Sequence, residues 1–179
     1  VLFRSHADFE IKFSGLKEGV HTFNFQLSET FFESFDNEEF NAVQAKATVT
    51  LHKKSTFMEA NFSMQGHVNV NCDLTNEPFD LAVSNAFDMV VKFGPDYSDD
   101  HDDMIVLPHG SHQFNATQQL YELLVLSVPQ KRVHPGIEDG TMDSDVLEKL
   151  EQLKPSPNNK TSQSGTDPRW DALKKLKKK

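Results

Sequence analysis

The feature of this sequence that most constrains its fold is the alternation of apolar and polar residues through the first half of the chain. The alternation is clearest from Val43 to Leu51, where every second residue is apolar. A period of two matches a β-strand, in which successive side chains point to opposite faces of a sheet, so each such segment predicts a strand with one buried face. The other segments of this kind are 9–13, 23–27, 57–64, 68–74, 79–83, 87–93 and the short 104–107. We therefore predict a sheet of about six to eight strands.

The breaks between these segments predict how the strands connect. Polar residues 52–55 predict a turn, and Gly66 is predicted to interrupt the alternation between two strands. Short connections join antiparallel neighbours, so the sheet is expected to be antiparallel. The combined length of 79–93 predicts a bent strand or a β-bulge, and Gly94 and Pro95 end it.

Helical spacing appears at only a few places. Phenylalanines three and four residues apart after Ser28 predict a short helix over 28–35, and a broad leucine face predicts one strong helix over 115–128, with Asn115 as its N-cap and Pro129 at its end. The predicted class is α+β and mainly β. The expected architecture is a curved antiparallel sheet or partly open barrel, packed by one main helix and followed by a flexible C-terminal tail.

Hydrophobic content falls after Pro129, and this divides the chain into three parts. We predict a β-rich core domain over 1–129 that contains the main helix. A flexible linker is predicted over 130–166, with a weak helix near 143–153, and a basic C-terminal helix or tail over 167–179.

Charge is divided unevenly between these parts. The chain carries 18 Lys+Arg against 27 Asp+Glu, a net charge of −9. Residues 167–179 carry +4, so the rest of the chain carries −13. An acidic body repels a phosphate backbone, whereas a short basic end can approach one.

The basic end is the segment most suggestive of binding. Trp170, Leu173 and Leu176 lie three residues apart, so a helix would carry them on one side and lysines on the rest. This pattern is typical both of a partner-binding helix and of a solvated lysine-rich tail, and both interpretations stay open. The predicted partner-binding or RNA-binding residues are Arg169, Trp170, Lys174, Lys175, Lys177 and Lys178.

Candidate catalytic and metal-binding residues are sparse. His109 and His112, with His101 and the aspartates of 99–103, have the donor types of a metal site, but their place on a loop favours solvated residues. Cys72 is the single cysteine, so it has no intramolecular disulfide partner and is expected to pack as an apolar residue. The usual hydrolase and nucleotide-binding motifs are absent, so neither an enzyme nor a cofactor is expected. No apolar run reaches the roughly 20 residues of a membrane span, and a cytoplasmic location is expected.

Several segments, in their order and spacing, are similar to one known family. The segments are FEIKFSGLKEGVHTFNFQL, FFESF, GHVNVNCDLTNEPFDLAV, VKFG, IVLP, LYELLVLSVPQKRVHP and DPRWDALKKL. The chain resembles the YceD-like proteins, particularly their Bacteroidetes-type members, over nearly its whole length. Those proteins are bacterial and plastid factors implicated in accumulation or processing of the large-subunit (23S) ribosomal RNA, and many are encoded beside a large-subunit ribosomal protein.

The resemblance has one informative departure. Family members show C-x-R-C-L-x-P after a strand, and Cys72 and Pro78 match its first Cys and its Pro. Leu74, Thr75 and Asn76 replace the Arg, the second Cys and the Leu. A metal or redox role that needs two cysteines is therefore not available to this chain.

The resemblance implies a non-enzymatic cytoplasmic factor in 23S rRNA accumulation and large-subunit biogenesis. We expect it to bind a basic protein partner, such as a ribosomal protein or a pre-ribosomal particle, or rRNA through the tail, and to need no cofactor and no membrane. The alternative is a β-barrel-like module that holds a small apolar ligand among its 15 phenylalanines. A histidine-dependent hydrolase at His109 and His112 is a third possibility.

Overall fold

Strands are the commonest element of the structure, a computed structural model that describes residues 9–32, 35, 39–101, 103–141 and 145–154. The chain divides into two units, Val1–Met142 and Asp143–Lys179, each described by itself. The strands of the first unit are β1 (Glu10–Lys12), β2 (Gly19–Ser28), β3 (Ala42–Lys53), β4 (Met58–Asn71), β5 (Pro78–Gly94), β6 (Ser98–His101), β7 (Met104–Pro108) and β8 (Gln113–Asn115). Its helices are α1 (Glu29–Phe32), α2 (Thr117–Val125) and α3 (Pro135–Glu138), and the second unit contains α4 (Asp145–Leu153).

Six of the strands form one open sheet in the order β2-β3-β4-β5-β7-β6, and β1 pairs with β8 in a second, two-stranded sheet. The α+β, mainly β class is confirmed. One pairing differs from the antiparallel expectation: β7 lies between β5 and β6 and runs parallel to β5, so the sheet is mixed. Alternation indicates which residues form strands but not the order in which strands lie side by side. Among the described residues the sheet does not close into a barrel, because β2 and β6 form its two edges.

The predicted interruption at Gly66 is wrong, because β4 continues through it and pairs with β3 on both sides. Gly66 lies opposite Ala45, and a Cβ at this position would come within 2.4 Å of the Ala45 Cα and of the Gln44 carbonyl oxygen. The glycine therefore marks a close approach of two backbones rather than the end of a strand.

The bend or bulge predicted within 79–93 is also absent from the pairing of β5 with β4. The two strands are paired from Pro78 to Val91 without a register shift. All the apolar residues that suggested two segments lie at odd-numbered positions, so one regular strand presents them on one face.

The hydrophobic core lies on one face of the six-stranded sheet, beneath α1, α2 and the small sheet. Leu120, Leu123 and Leu124 of α2 are at most 1% exposed, and the Asn85 amide of β5 donates a hydrogen bond to the Leu123 carbonyl oxygen. Phenylalanines pack against one another, as Phe62 and Phe87 do with ring centroids 4.8 Å apart. The interior is thus filled by side chains from the strands and the helix.

The main helix is shorter than the predicted 115–128. Asn115 belongs to β8, and its side-chain oxygen accepts a hydrogen bond from the Thr117 amide at 2.8 Å. This bond satisfies one of the amides at the start of α2, so Asn115 caps the helix from two positions before its first residue.

We predict that Gly66→Ala destabilises the protein, because the added methyl group has no room beside the β3 backbone. The expected loss in free energy of unfolding is about 1–3 kcal/mol, measured by chemical denaturation. Gly15→Ala is the matched control, since a Cβ at Gly15 meets no atom within 4 Å. Equal stability of the two variants would contradict the close approach of β3 and β4.

Candidate binding surface

The face of the six-stranded sheet opposite the core is open and polar. Its central row runs across four strands through Gln26, Lys46, Gln65 and Ser84, which the strand pairing places side by side. These residues and the neighbouring row line an open depression of about 880 Å³. The residues of the neighbouring row are Asn24, Thr48, Ser63 and Ala86. We call this surface the amide face.

The amide face carries hydrogen-bonding groups with little charge. Thr48 donates to the Asn24 side-chain oxygen at 3.0 Å, and the Lys46 ammonium takes part in none of the salt bridges of the described residues. Amide and hydroxyl groups donate and accept alike, so the surface suits the polar groups of a peptide or a nucleotide. The sequence contained a signal for this face, because these residues occupy the polar phase of the same alternation that predicted the core.

One end of the open face is acidic. Glu59 of β4, Asp88 of β5 and Asp103 line a second depression together with His52. Asp99 and Asp100 lie near it on edge strand β6, two strands beyond β5 in the sheet order. We call these five carboxylates the acidic end; they are Glu59, Asp88, Asp99, Asp100 and Asp103.

Lys54 lowers the pKa of Glu59 within the acidic end. Its ammonium donates a hydrogen bond to the Glu59 carboxylate and is the main cause of the shift, which partial desolvation opposes. His52 Nδ1 lies 3.5 Å from the second carboxylate oxygen and lowers the pKa further. Glu59 therefore stays ionised to a lower pH than an isolated glutamate.

The segment after α2 returns to the loop between β4 and β5 and is hydrogen-bonded to it. Asp73 accepts a hydrogen bond from the Arg132 amide at 2.6 Å, and its own amide donates to the Arg132 carbonyl oxygen at 2.8 Å. The His134 ring packs edge-on against Phe79. These contacts hold residues 132–134 against the β4–β5 loop within the first unit, Val1–Met142.

The thiol of Cys72 lies inside this contact. Cys72 is 2% exposed, as its inward position predicted. Burial raises its pKa, but hydrogen bonds from the Thr75 side chain and from the backbone amides of His134, Leu74 and Thr75 together outweigh burial and lower it. Thr75 thus stabilises the thiolate form through its hydroxyl group.

Of the histidines singled out in the sequence, His101 lies on β6 next to Asp100, whereas His109 and His112 lie in the segment between β7 and β8. His109 and His112 are exposed, and backbone groups of both join the strands: the His109 amide donates to the Gly94 carbonyl oxygen. Within the ranges that the structure describes, no three His, Cys, Asp or Glu side chains are arranged to hold a metal ion.

The alternative of an apolar ligand inside a barrel also lacks its structural basis in the described residues. The sheet is open at β2 and β6, and the depression of about 880 Å³ on its open face is lined largely by polar side chains. The predicted binding residues Arg169, Trp170, Lys174, Lys175, Lys177 and Lys178 all lie outside the described residues.

We predict that Asp73→Ala lowers the free energy of unfolding by about 1–2 kcal/mol, because the Arg132 amide loses its acceptor. Arg132→Ala removes only a partly exposed ion pair and is expected to cost below about 1 kcal/mol. Denaturant unfolding measures both. Asp73→Asn is the control, since it keeps an oxygen acceptor; if it cost as much as Asp73→Ala, the amide bond would not be the source of the loss.

We predict that Glu59 titrates below the ordinary glutamate pKa and that Lys54→Met returns it toward that value. NMR titration of the carboxyl carbon measures the shift. Because the pKa is lowered in the folded state, the stabilisation is present above the unfolded pKa and disappears as pH falls through the folded pKa. Wild type and Glu59→Gln should therefore differ in stability at neutral pH and converge in acid. An unchanged Glu59 pKa in Lys54→Met would contradict this assignment.

In the described part of the chain, no helix is long and apolar enough to cross a membrane.

Comparison with protein families matches residues 60–177 to the family described as large ribosomal RNA subunit accumulation protein YceD. No curated protein and no solved structure matches the chain significantly. The matched span covers more than half of the chain. It begins in β4 and includes β5, α2 and residues 72–77 between β4 and β5, which we call the Cys72 loop. The chain therefore belongs to the YceD family of large ribosomal RNA subunit accumulation proteins.

Proposed function

We propose that this protein is a non-enzymatic factor in the accumulation of 23S rRNA that acts by binding a basic protein partner or pre-ribosomal RNA. The observation that carries the proposal is the family match over residues 60–177. The family description names an effect on large-subunit rRNA rather than a reaction, so a binding role accounts for it without a catalytic site. Large-subunit rRNA is made in the cytoplasm of bacteria, and the proposal places the protein there.

The acidic end supports a basic protein as the partner. Five carboxylates at one end of the sheet create a negative potential that attracts Lys-rich and Arg-rich segments and repels phosphate. The Lys54 ammonium neutralises only one of them, Glu59. Ribosomal proteins are basic as a class because they contact rRNA, so a ribosomal protein before assembly fits this chemistry.

The amide face supports a partner that contributes its own polar groups. Gln65 of the central row and Glu59 of the acidic end lie six residues apart on the same face of β4, so one extended segment along this strand can reach both. Its cationic side chains would meet the carboxylates, and its backbone would meet the amides of the central row. Direct and water-mediated hydrogen bonds of this kind can hold a partner without a large apolar interface.

The basic end of the chain has a separate role in the proposal. Arg169, Trp170 and the lysines that follow would contact rRNA or the same particle, because their charge is opposite to that of the body. The residues that follow the Arg132–Asp73 contact, up to residue 166, would then act as the linker between the core and this basic end. In this arrangement the core holds the protein partner and residues 167–179 hold the particle.

We predict that cells depleted of the protein show a lower ratio of 23S to 16S rRNA, which wild-type protein restores. A variant that neutralises four carboxylates of the acidic end, Asp88→Asn, Asp99→Asn, Asp100→Asn and Asp103→Asn, is expected to restore it poorly. The matched control neutralises four exposed glutamates elsewhere, Glu18→Gln, Glu29→Gln, Glu77→Gln and Glu122→Gln. Both sets change the net charge equally, so equal rescue would contradict a role for the acidic end.

The tail part of the proposal is tested by removing residues 167–179 from the full chain. We expect the shortened protein to associate with pre-ribosomal particles several-fold less in sedimentation and pull-down assays. Unchanged association would overturn the role of the tail while leaving that of the acidic end in place.

A further inference from the structure

Strand β2 is a long edge strand with one side open. It pairs with β3 along all ten of its residues, and no other strand of the described residues lies on its far side. An unpaired edge presents backbone amides and carbonyls to any chain that can add a further strand.

The pairing pattern identifies which groups of β2 point outward. The Lys54 amide donates to the Phe57 carbonyl oxygen at 3.0 Å, which makes this pair a hydrogen-bonded one at the end of the β3–β4 hairpin. Hydrogen-bonded pairs alternate along an antiparallel ladder, so even-numbered residues of β3 bond to β4 and odd-numbered residues bond to β2. The register therefore directs the amides and carbonyls of the even-numbered residues of β2 to the open side. They belong to Val20, Thr22, Asn24, Gln26 and Ser28.

The β2 edge lacks the features that normally prevent strand addition. From Gly19 to Ser28 it contains no Lys, Arg, Asp, Glu or Pro, and its register with β3 contains no bulge. The opposite edge, β6, is only four residues long and contains two adjacent aspartates. The charge, short length and irregular pairing of β6 thus discourage strand addition at that edge, whereas the β2 edge can accept an added strand.

The two faces of β2 indicate what the added strand must look like. Phe23 and Phe25, on the core face, are only partly buried, whereas Val49 of β3 is fully buried. The opposite face presents Thr22, Asn24 and Gln26. An added strand therefore needs apolar residues on the core side and uncharged polar residues on the other.

We propose that the β2 strand of a second copy of this chain pairs antiparallel with β2, forming a two-fold symmetric dimer with a continuous sheet. A two-fold axis at Asn24 pairs Thr22 with Gln26 of the second copy in the hydrogen-bonding positions. It also places Phe23 opposite Phe25 of the second copy on the core side, where aromatic pairs stabilise a sheet. The β2 strand of the second copy has the apolar and polar faces that an added strand needs. The contact is isologous, because the same residues of both copies form it.

Charge favours a second copy over a basic peptide at this edge. Neither strand carries a charged residue, so symmetric pairing opposes no like charges across the strands. A Lys-rich segment would find no carboxylate on β2. The two bodies each carry excess negative charge and repel at long range, and salt screens this repulsion.

Sedimentation equilibrium of the full chain at several protein and salt concentrations tests the proposal. We expect a monomer–dimer equilibrium whose dimer fraction rises with salt. Thr22→Pro removes an outward amide in each copy without removing a β2–β3 bond, so it should weaken the dimer at least about tenfold. Thr22→Val keeps the amide and should dimerise like wild type. Circular dichroism establishes that both variants are folded.

A charge-complementation experiment keeps the proposal falsifiable should Thr22→Pro fail to fold. Asn24→Lys and Asn24→Asp each place like charges opposite each other at the two-fold axis and should dimerise less than wild type. Mixed together, they should form a heterodimer, because the charges are then opposite. Absence of this rescue would overturn the proposed register.

Three other results would overturn the proposal. One is a chain that stays monomeric at its highest soluble concentration. Another is a dimer that weakens as salt rises, which would indicate a charge-driven contact. The third is concentration-independent protection of the Thr22 and Gln26 amides in hydrogen exchange, which would show that another part of the same chain covers the edge.

Discussion

The rest of the structure depends on the continuous antiparallel ladder formed by β3, β4 and β5. Fourteen residues of β4 are paired on the β5 side without a register shift, and twelve of them are also paired with β3. A shift of one residue would exchange the two faces of a strand, so this long pairing fixes which side chains are buried. Gly66 permits the close approach of β3 and β4 that keeps the ladder unbroken. The core on one face and the polar surface on the other both follow from this pairing.

The two faces have different consequences. On the buried face, leucines of α2 and packed phenylalanines fill the space over the strands. The interior therefore supports the sheet. On the open face the same alternation presents amides, hydroxyls and one group of carboxylates. The Cys72 loop lies at one end of this arrangement, where the chain returns after α2. Hydrogen bonds to Asp73 and to the Cys72 thiol join the two segments there, and the Thr75 hydroxyl group adds a further hydrogen bond to the thiol.

The two edges of the sheet differ as much as its faces do. The β6 edge is short and acidic, which fits attraction of a basic partner and discourages strand addition. The β2 edge is long, uncharged and flanked by partly buried phenylalanines. The acidic end and the self-association edge therefore lie at opposite edges of one sheet, and Asn24 and Gln26 of β2 belong both to the amide face and to the dimer edge.

The sequence by itself determined the mainly β class, the strand-forming segments and the inward position of Cys72, because a period of two depends only on local backbone geometry. It also determined the charge division between residues 167–179 and the rest of the chain. Only the tertiary structure decided that β7 lies between β5 and β6, that β4 continues through Gly66, and that residues after Pro129 return to the β4–β5 loop. These features depend on which distant segments pair and on how closely their backbones approach, and the alternation of residues within one strand is the same whichever neighbour it acquires.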